Sequence, residues 1–339
     1  MLRLPQFELA TPKTVREALQ LLASVEGAMI VAGGTDLVPN MKHELFTPPL
    51  VVSLAQVDAL RGIQQIEKDW ISIGAMTTLA DVAASELLRE RAPVLAQAAG
   101  LVAGPQLRTM GTLGGNVLLD TRCQWYNQTY FWRQALGFCL KKDGGKCHVV
   151  EGGSKCVAAA SNDSAPALMT LGAVLVFEGP QGKRTVPIDD FWIADGIVNK
   201  RVEPGEILVA IQVPPAAKNH RGAYGKLRER GSIDFPLLGV AVRIDCDSKD
   251  VVTDADLVIT ALQARPLRIK RARETLEGTK LGSSAFAAAV ETLAELAHKQ
   301  CHPMPNIPGD HDWRREMVTV YVRRTLIAAA ECSGPVHHI

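Results

Sequence analysis

Net charge is nearly absent from this sequence. Its 37 lysines and arginines stand against 36 aspartates and glutamates, leaving +1, which excludes the strongly electrostatic grip that duplex nucleic acid requires. There is no basic run with interleaved aromatics. No apolar run reaches about 18 residues, so no spanning helix is expected. Residues 1–7 hold no apolar stretch of signal-peptide length. The expectation is a cytoplasmic protein, in which thiols stay reduced and clustered cysteines bind metal more often than they pair. Also missing are the Gly-x-Gly-x-x-Gly fingerprint and a Walker lysine, which disfavours a Rossmann or P-loop site. No Ser/His/Asp or Cys/His arrangement stands out, and no catalytic residue is assigned.

What is present is a chain of 339 residues, 47% apolar, enough for two or three domains with sizeable cores. Thr11-Pro12 reads as a helix start, and Val15, Ala18, Leu19 and Leu22 follow at helical spacing. A short strand at 28–31 runs into Ala32-Gly33-Gly34-Thr35-Asp36, then a brief helical piece and a strand at 50–54. A second unit opens with a strand at 70–74. Thr77 or Thr78 caps the next helix, and an apolar helix at 93–102 is broken by Ala103-Gly104-Pro105. A second glycine turn follows, Gly111-Thr112-Leu113-Gly114-Gly115-Asn116. Either turn alone is only a tight turn. Two of them, about 80 residues apart, could grip a pyrophosphate between backbone amides that no Cβ obstructs.

From 121 to 160 the composition changes to cysteine, aromatics and lysine, and irregular structure is expected. Four of the seven cysteines lie here as Cys123-x15-Cys139-x7-Cys147-x8-Cys156. The close knuckle usual in zinc sites is absent, as are both ferredoxin spacings. The spacing leaves one zinc ion and a [4Fe–4S] cluster level, ahead of unligated buried thiols or a redox disulfide. His148 is set aside as a surface residue, Cys246, Cys301 and Cys332 as ordinary thiols, and His337-His338 as tail.

Beyond the insertion, 174–177 and 183–187 read as a hairpin and 207–213 as a strand closed by Pro214-Pro215. Strands at 224–227, 238–244 and 254–261 precede helices at about 267–277, 283–300 and 312–331. The expected class is α+β: an α/β region of two subdomains, 1–57 and 58–214 with the insertion 117–161, then a C-terminal α+β domain, 215–339, with a small sheet and helices on one face.

The ordered motifs Ala32-Gly33-Gly34-Thr35-Asp36, Thr112-Leu113-Gly114-Gly115-Asn116, Asn162-Asp163-Ser164-Ala165-Pro166, Ile207-Leu208 and Tyr224-Gly225-Lys226-Leu227-Arg228 resemble the FAD-binding medium subunits of molybdenum hydroxylases. The insertion, with Asp120-Thr121-Arg122-Cys123 and Tyr126-Asn127-Gln128, resembles that of 4-hydroxybenzoyl-CoA reductase β subunits and implies a [4Fe–4S] cluster on Cys123, Cys139, Cys147 and Cys156. The resemblance implies FAD on Val31, Ala32, Gly33, Gly34, Thr35, Asp36 and Leu37, and on Thr112, Leu113, Gly114, Gly115 and Asn116, with Val102 nearby. Asp163 would lie on the adenosine side, and Leu208 and Lys226 at the isoalloxazine end. It further implies a large molybdopterin-binding subunit, a small subunit with two [2Fe–2S] clusters, a ferredoxin-like donor or acceptor, and a dimer of heterotrimers. The implied reaction is reductive dehydroxylation of a phenolic acyl-CoA. An oxidative molybdenum hydroxylase subunit and a zinc-stapled, non-redox scaffold remain as alternatives.

Overall fold

Three separate sheets organise the chain. The computed structural model describes residues 2–337, so Met1, His338 of the expected tail, and Ile339 lie outside the described residues. β1 (Glu8–Ala10), β2 (Met29–Val31) and β3 (Leu50–Ser53) form a small parallel sheet in the order β1-β3-β2. Strands running in parallel need a crossover, and the helix Val15–Ser24 carries the chain from β1 to β2, which flank β3 on either side. That helix starts later than Thr11-Pro12 suggests, because the Thr14 hydroxyl accepts the Glu17 amide at 3.1 Å.

β4 (Ile63–Gln65), β5 (Ile71–Gly74), β6 (Val174–Gly179), β7 (Gly182–Pro187) and β8 (Ile207–Val213) form an antiparallel sheet in the order β4-β5-β8-β6-β7. The long excursion from β5 to β6 carries the helices Leu79–Ala84, Pro93–Gly100 and Ser164–Thr170 and the entire cysteine insertion. The insertion is not wholly irregular. Thr129 caps a short helix, Tyr130–Ala135, by accepting the Trp132 amide at 3.3 Å.

β9 (Asn219–Leu227), β10 (Leu238–Cys246), β11 (Val252–Thr260) and β12 (Leu267–Arg268) form the third sheet, antiparallel in the order β12-β11-β10-β9. Its period of two separates two apolar sets. Ala223, Leu227, Val240, Val242 and Ile244 pack with the helices Ser284–Gln300 and His311–Glu331. Tyr224, Ala241 and Val258 join the core of the five-stranded sheet, with Val94, Leu95 and Leu168. The C-terminal domain's own helices thus lie on one face of its sheet, and helices of the preceding region cover the other. The helix expected at 267–277 shrinks to Ala272–Leu276, because Leu267 and Arg268 pair with β11 as an edge strand. The C-terminal stretch also has a place: the Lys226 amide donates to the Val336 carbonyl at 2.7 Å, and the Val336 amide donates to the Tyr224 carbonyl at 3.0 Å. Among the described residues no helix is long and apolar enough to cross a membrane.

Arg314 fastens the last helix to the sheet. Its guanidinium is fully buried and donates to the carbonyls of Leu237, Met304 and Ala261 at 3.1, 3.2 and 2.7 Å. Arg314→Leu strands three buried acceptors and should lower the unfolding free energy by about 3 kcal/mol, read by denaturant titration. An unchanged midpoint would show that water satisfies those carbonyls equally well.

Candidate functional site

The two glycine turns meet. Gly33 lies so close to the second turn that a Cβ on it would stand 1.8 Å from the Met110 carbonyl oxygen and 3.0 Å from the Gly111 amide. Cβ positions on Gly111 and Gly115 would reach Thr35 Oγ1 at 3.5 Å and the Ala32 Cβ at 3.9 Å. Gly34 adopts φ +72°, where any side chain would be strained. The second turn is pinned to the segment that leaves the end of β5, an interior strand of the five-stranded sheet: the Gly114 amide donates to Ala75 and the Leu113 amide to Thr77, both at 2.9 Å, and the Leu79 amide donates to Gly111 at 2.8 Å. The result is one cradle made of two turns from different sheets.

Two polar side chains of the second turn are spent on the protein itself. The Thr112 hydroxyl accepts the Gly115 amide at 3.1 Å, and Asn116 Oδ1 accepts the Ser164 amide at 3.0 Å. The helices that follow the turns, Leu37–Lys42 and Leu113–Val117, have six and five residues. What the cradle offers a ligand is backbone. Residues 31–37, Val102 and Gly115 keep exposed surface, and Thr35 and Gly115 are fully open, whereas Thr112, Leu113, Gly114 and Asn116 are buried.

Asp163, Leu208 and Lys226 need correction. Asp163 and Lys226 are not at opposite ends of a site; they form an ion pair of 3.2 Å between Oδ2 and Nζ, with both side chains almost wholly buried. The Lys226 ammonium also donates to the Leu101 carbonyl at 3.0 Å and the Asp234 carbonyl at 3.2 Å. Its three hydrogens are thus taken by protein. Asp163 Oδ1 accepts the Tyr224 hydroxyl at 2.9 Å. Burial raises the Asp163 carboxyl above the usual carboxylate range, and Lys226 and the Tyr224 hydrogen bond pull against that rise. Leu208 lies in the core of the five-stranded sheet with 3% of its surface exposed. None of the three presents a surface to a cofactor; they support the cradle from behind. Sequence reasoning passed over Met110, Ile233 and Phe235, which stand 56%, 58% and 46% exposed, and Arg122, which bonds Asp36 of the first turn. An apolar residue in a polar turn was the only available signal.

The four cysteines converge. Cys123, Cys139, Cys147 and Cys156 line one pocket with Trp125, Tyr126, Lys141 and Val149. Backbone amides of Val150 and Ala158 reach the sulfurs of Cys147 and Cys156, both at 3.4 Å. Burial pushes the Cys123 thiol up to about 12, and the neighbouring Cys156 and Cys139 add to that. Such a thiol gives up its proton to a metal rather than to water. The metal-ligating atoms gathered within 4.8 Å of one another, among the described residues, are those of the exposed Asp310, His311 and Asp312; no three of the four thiols come that close. Four thiolates on one pocket suit either a tetrahedral zinc, with bonds of about 2.3 Å, or a four-iron cluster, in which each thiolate binds a different iron. His148 also lines the pocket, with Nε2 at 2.6 Å from the Phe138 carbonyl oxygen and its ring 5.4 Å from that of Trp125, so it is a wall of the pocket rather than a surface residue.

Residues 5–216 match the FAD binding domain in molybdopterin dehydrogenase, and residues 223–329 match the CO dehydrogenase flavoprotein C-terminal domain. The chain belongs to the FAD-binding subunits of the molybdenum hydroxylases. It is 31% identical to the carbon monoxide dehydrogenase medium chain of Hydrogenophaga pseudoflava over 331 residues, 97% of this chain and 99% of that one. It is 32% identical to the aldehyde oxidoreductase FAD-binding subunit of Escherichia coli, over 84% of this chain and 88% of that one. The structure of the Hydrogenophaga carbon monoxide dehydrogenase that lacks the Mo-pyranopterin moiety superposes with a TM-score of 0.78 at 30% identity, covering 96% of this chain and 98% of that chain. This FAD-binding subunit is therefore part of an oxidoreductase.

Two outcomes follow from the geometry. Gly33→Ala forces the turns apart and should abolish FAD retention in the purified protein while leaving its far-UV circular dichroism unchanged; full flavin occupancy would separate the cradle from the cofactor. Lys226→Met leaves Asp163 buried without a cation and should cost about 3–5 kcal/mol, and adding Asp163→Asn should recover part of it. Equal, additive losses in the double variant would show that the pair is not coupled.

Proposed function

We propose that this subunit carries FAD on the paired turns 31–37 and 112–116 with Val102 beside them, and a [4Fe–4S] cluster on Cys123, Cys139, Cys147 and Cys156. The observation that carries the second half is the convergence of four thiols on one pocket; the likeness of the insertion to that of 4-hydroxybenzoyl-CoA reductase β subunits favours the cluster over zinc. The apolar walls supplied by Trp125, Tyr126 and Val149 exclude water, and Lys141 places a buried cation beside thiolates. Bound FAD exchanges one or two electrons and a [4Fe–4S] cluster exchanges one, so a chain holding both converts between the two kinds of transfer. In this reading 1–57 and 58–214 hold the flavin between them and 215–339 buttresses the second of these units.

The reaction we propose for the complex is reductive removal of the phenolic hydroxyl from 4-hydroxybenzoyl-CoA or a related phenolic acyl-CoA; the likeness of Asp120-Thr121-Arg122-Cys123 and Tyr126-Asn127-Gln128 to 4-hydroxybenzoyl-CoA reductase β subunits supports it. Its partners are a molybdopterin-binding large subunit, a small subunit with two [2Fe–2S] clusters and a ferredoxin-like electron carrier, arranged as a dimer of heterotrimers. The second reading, an oxidative hydroxylase acting on another aromatic, draws on relatives named for carbon monoxide and xanthine dehydrogenation.

Metal analysis and an anaerobic visible spectrum test the cofactor assignment. Four irons per chain and broad absorption beyond the flavin bands are expected, and Cys139→Ser should lose the iron while keeping FAD. Zinc without iron would sink the cluster; loss of FAD together with iron would make the insertion a structural prop of the cradle.

A further inference from the structure

The cradle has a charge problem. The turns 31–37 and 111–116 contain one ionisable side chain, Asp36, and it is acidic. The ligand they are shaped for is a diphosphate ester with two negative charges. Backbone amides alone would have to hold that dianion beside a carboxylate. A cation must come from elsewhere in the fold.

Arg122 is placed to supply it. Its backbone closes the neck of the cysteine insertion: the Arg122 amide donates to the Ala159 carbonyl at 2.8 Å, and the Ala159 amide donates to Arg122 at 2.7 Å. Its side chain leaves the insertion and returns to the first turn, where Nη2 donates to Asp36 Oδ1. The guanidinium carbon lies over the ring of Phe235, 4.2 Å from the centroid, a cation–π contact that helps hold the side chain in place. Asp36 is held in turn by Asn40, whose Nδ2 donates to Oδ2 at 3.2 Å. One donor is left over: Arg122 Nε is buried and has no hydrogen-bond partner in the chain. An unmet buried guanidinium N–H is costly, and here it sits beside a turn built for an anion.

We infer that Arg122 is a second-cofactor contact: through Nε and its remaining N–H groups it meets the FAD diphosphate, while Nη2 keeps its bond to Asp36. The residue that precedes cluster ligand Cys123 then also neutralises the flavin's phosphates, so one guanidinium joins the insertion's neck to the occupied flavin site. Asp36 competes with the phosphates for the same fork and limits their affinity. The inference rests on the reading that FAD lies on the paired turns.

The test uses the full-length chain freed of FAD, with binding followed by flavin fluorescence. FAD and riboflavin, which has no phosphate, are the two probes. Arg122→Gln should weaken FAD at least tenfold, flatten the dependence of FAD affinity on salt, and leave riboflavin binding unchanged; Arg122→Lys should restore most of the loss. Asp36→Asn should leave FAD affinity unchanged or raise it, because it frees the guanidinium. Equal weakening by Arg122→Gln and Asp36→Asn would overturn the inference, since a pair that merely straps the two segments together is lost in either variant. So would a matching loss of riboflavin binding. If Gly33→Ala leaves FAD affinity intact, the cradle itself is misplaced and the role of Arg122 falls with it. If Gly33→Ala weakens FAD and Arg122→Gln does not, the cradle stands and only the role of Arg122 fails.

Discussion

The backbone contact between Gly33 and the Met110–Gly111 peptide is the constraint on which the flavin site depends. It requires that Gly33 carry no Cβ at the meeting point, and it joins a turn after a parallel strand to a turn packed against an antiparallel sheet. Neither sheet alone makes a cradle. The tight seating of Gly114 on Ala75 then transmits the position of the five-stranded sheet to the turn, so a shift of that sheet would open the cradle. The bonding groups of the second turn are mainly backbone, because the Thr112 and Asn116 side chains already accept hydrogen bonds within the protein.

The third sheet closes the arrangement by burying both of its faces. Along its inner face the side chains change from apolar, at Tyr224, Ala241 and Val258, to the ion pair of Lys226 with Asp163. That pair sits where the loop after the helix Pro93–Gly100 passes, and Lys226 holds the Leu101 carbonyl directly. A buried ion pair gives little net stability against an apolar replacement. Its use here is positional: it ties the C-terminal sheet to the loop that leads into the second turn.

Much of this was legible in the sequence because it depends on period and on glycine. The strands at 207–213 and 238–246 and the hairpin at 174–187 follow from alternation, and both turns follow from their glycine pairs. The edge strand at Leu267–Arg268 was misread as helix because two residues carry no period of their own. The insertion's helix at Tyr130–Ala135 was missed because its aromatics, with Phe131 79% exposed, have no buried stripe. The cysteines announced a metal site by composition, but their separation is a tertiary quantity that spacing along the chain does not encode. The same holds for Lys226 and Asp163: the resemblance offered them as cofactor contacts, and only their contact shows that each has the other as its partner.

The insertion is thus an excursion from the second turn that returns to the first through Arg122 and Asp36, so flavin binding should be felt at both turns and at the insertion's neck together. Hydrogen exchange of the full-length chain with and without FAD tests this most directly. The account predicts that FAD slows exchange of the amides at 31–37, 110–116 and 121–123 in concert. Protection confined to one turn, or centred on β9 around Lys226 with the turns unchanged, would contradict it.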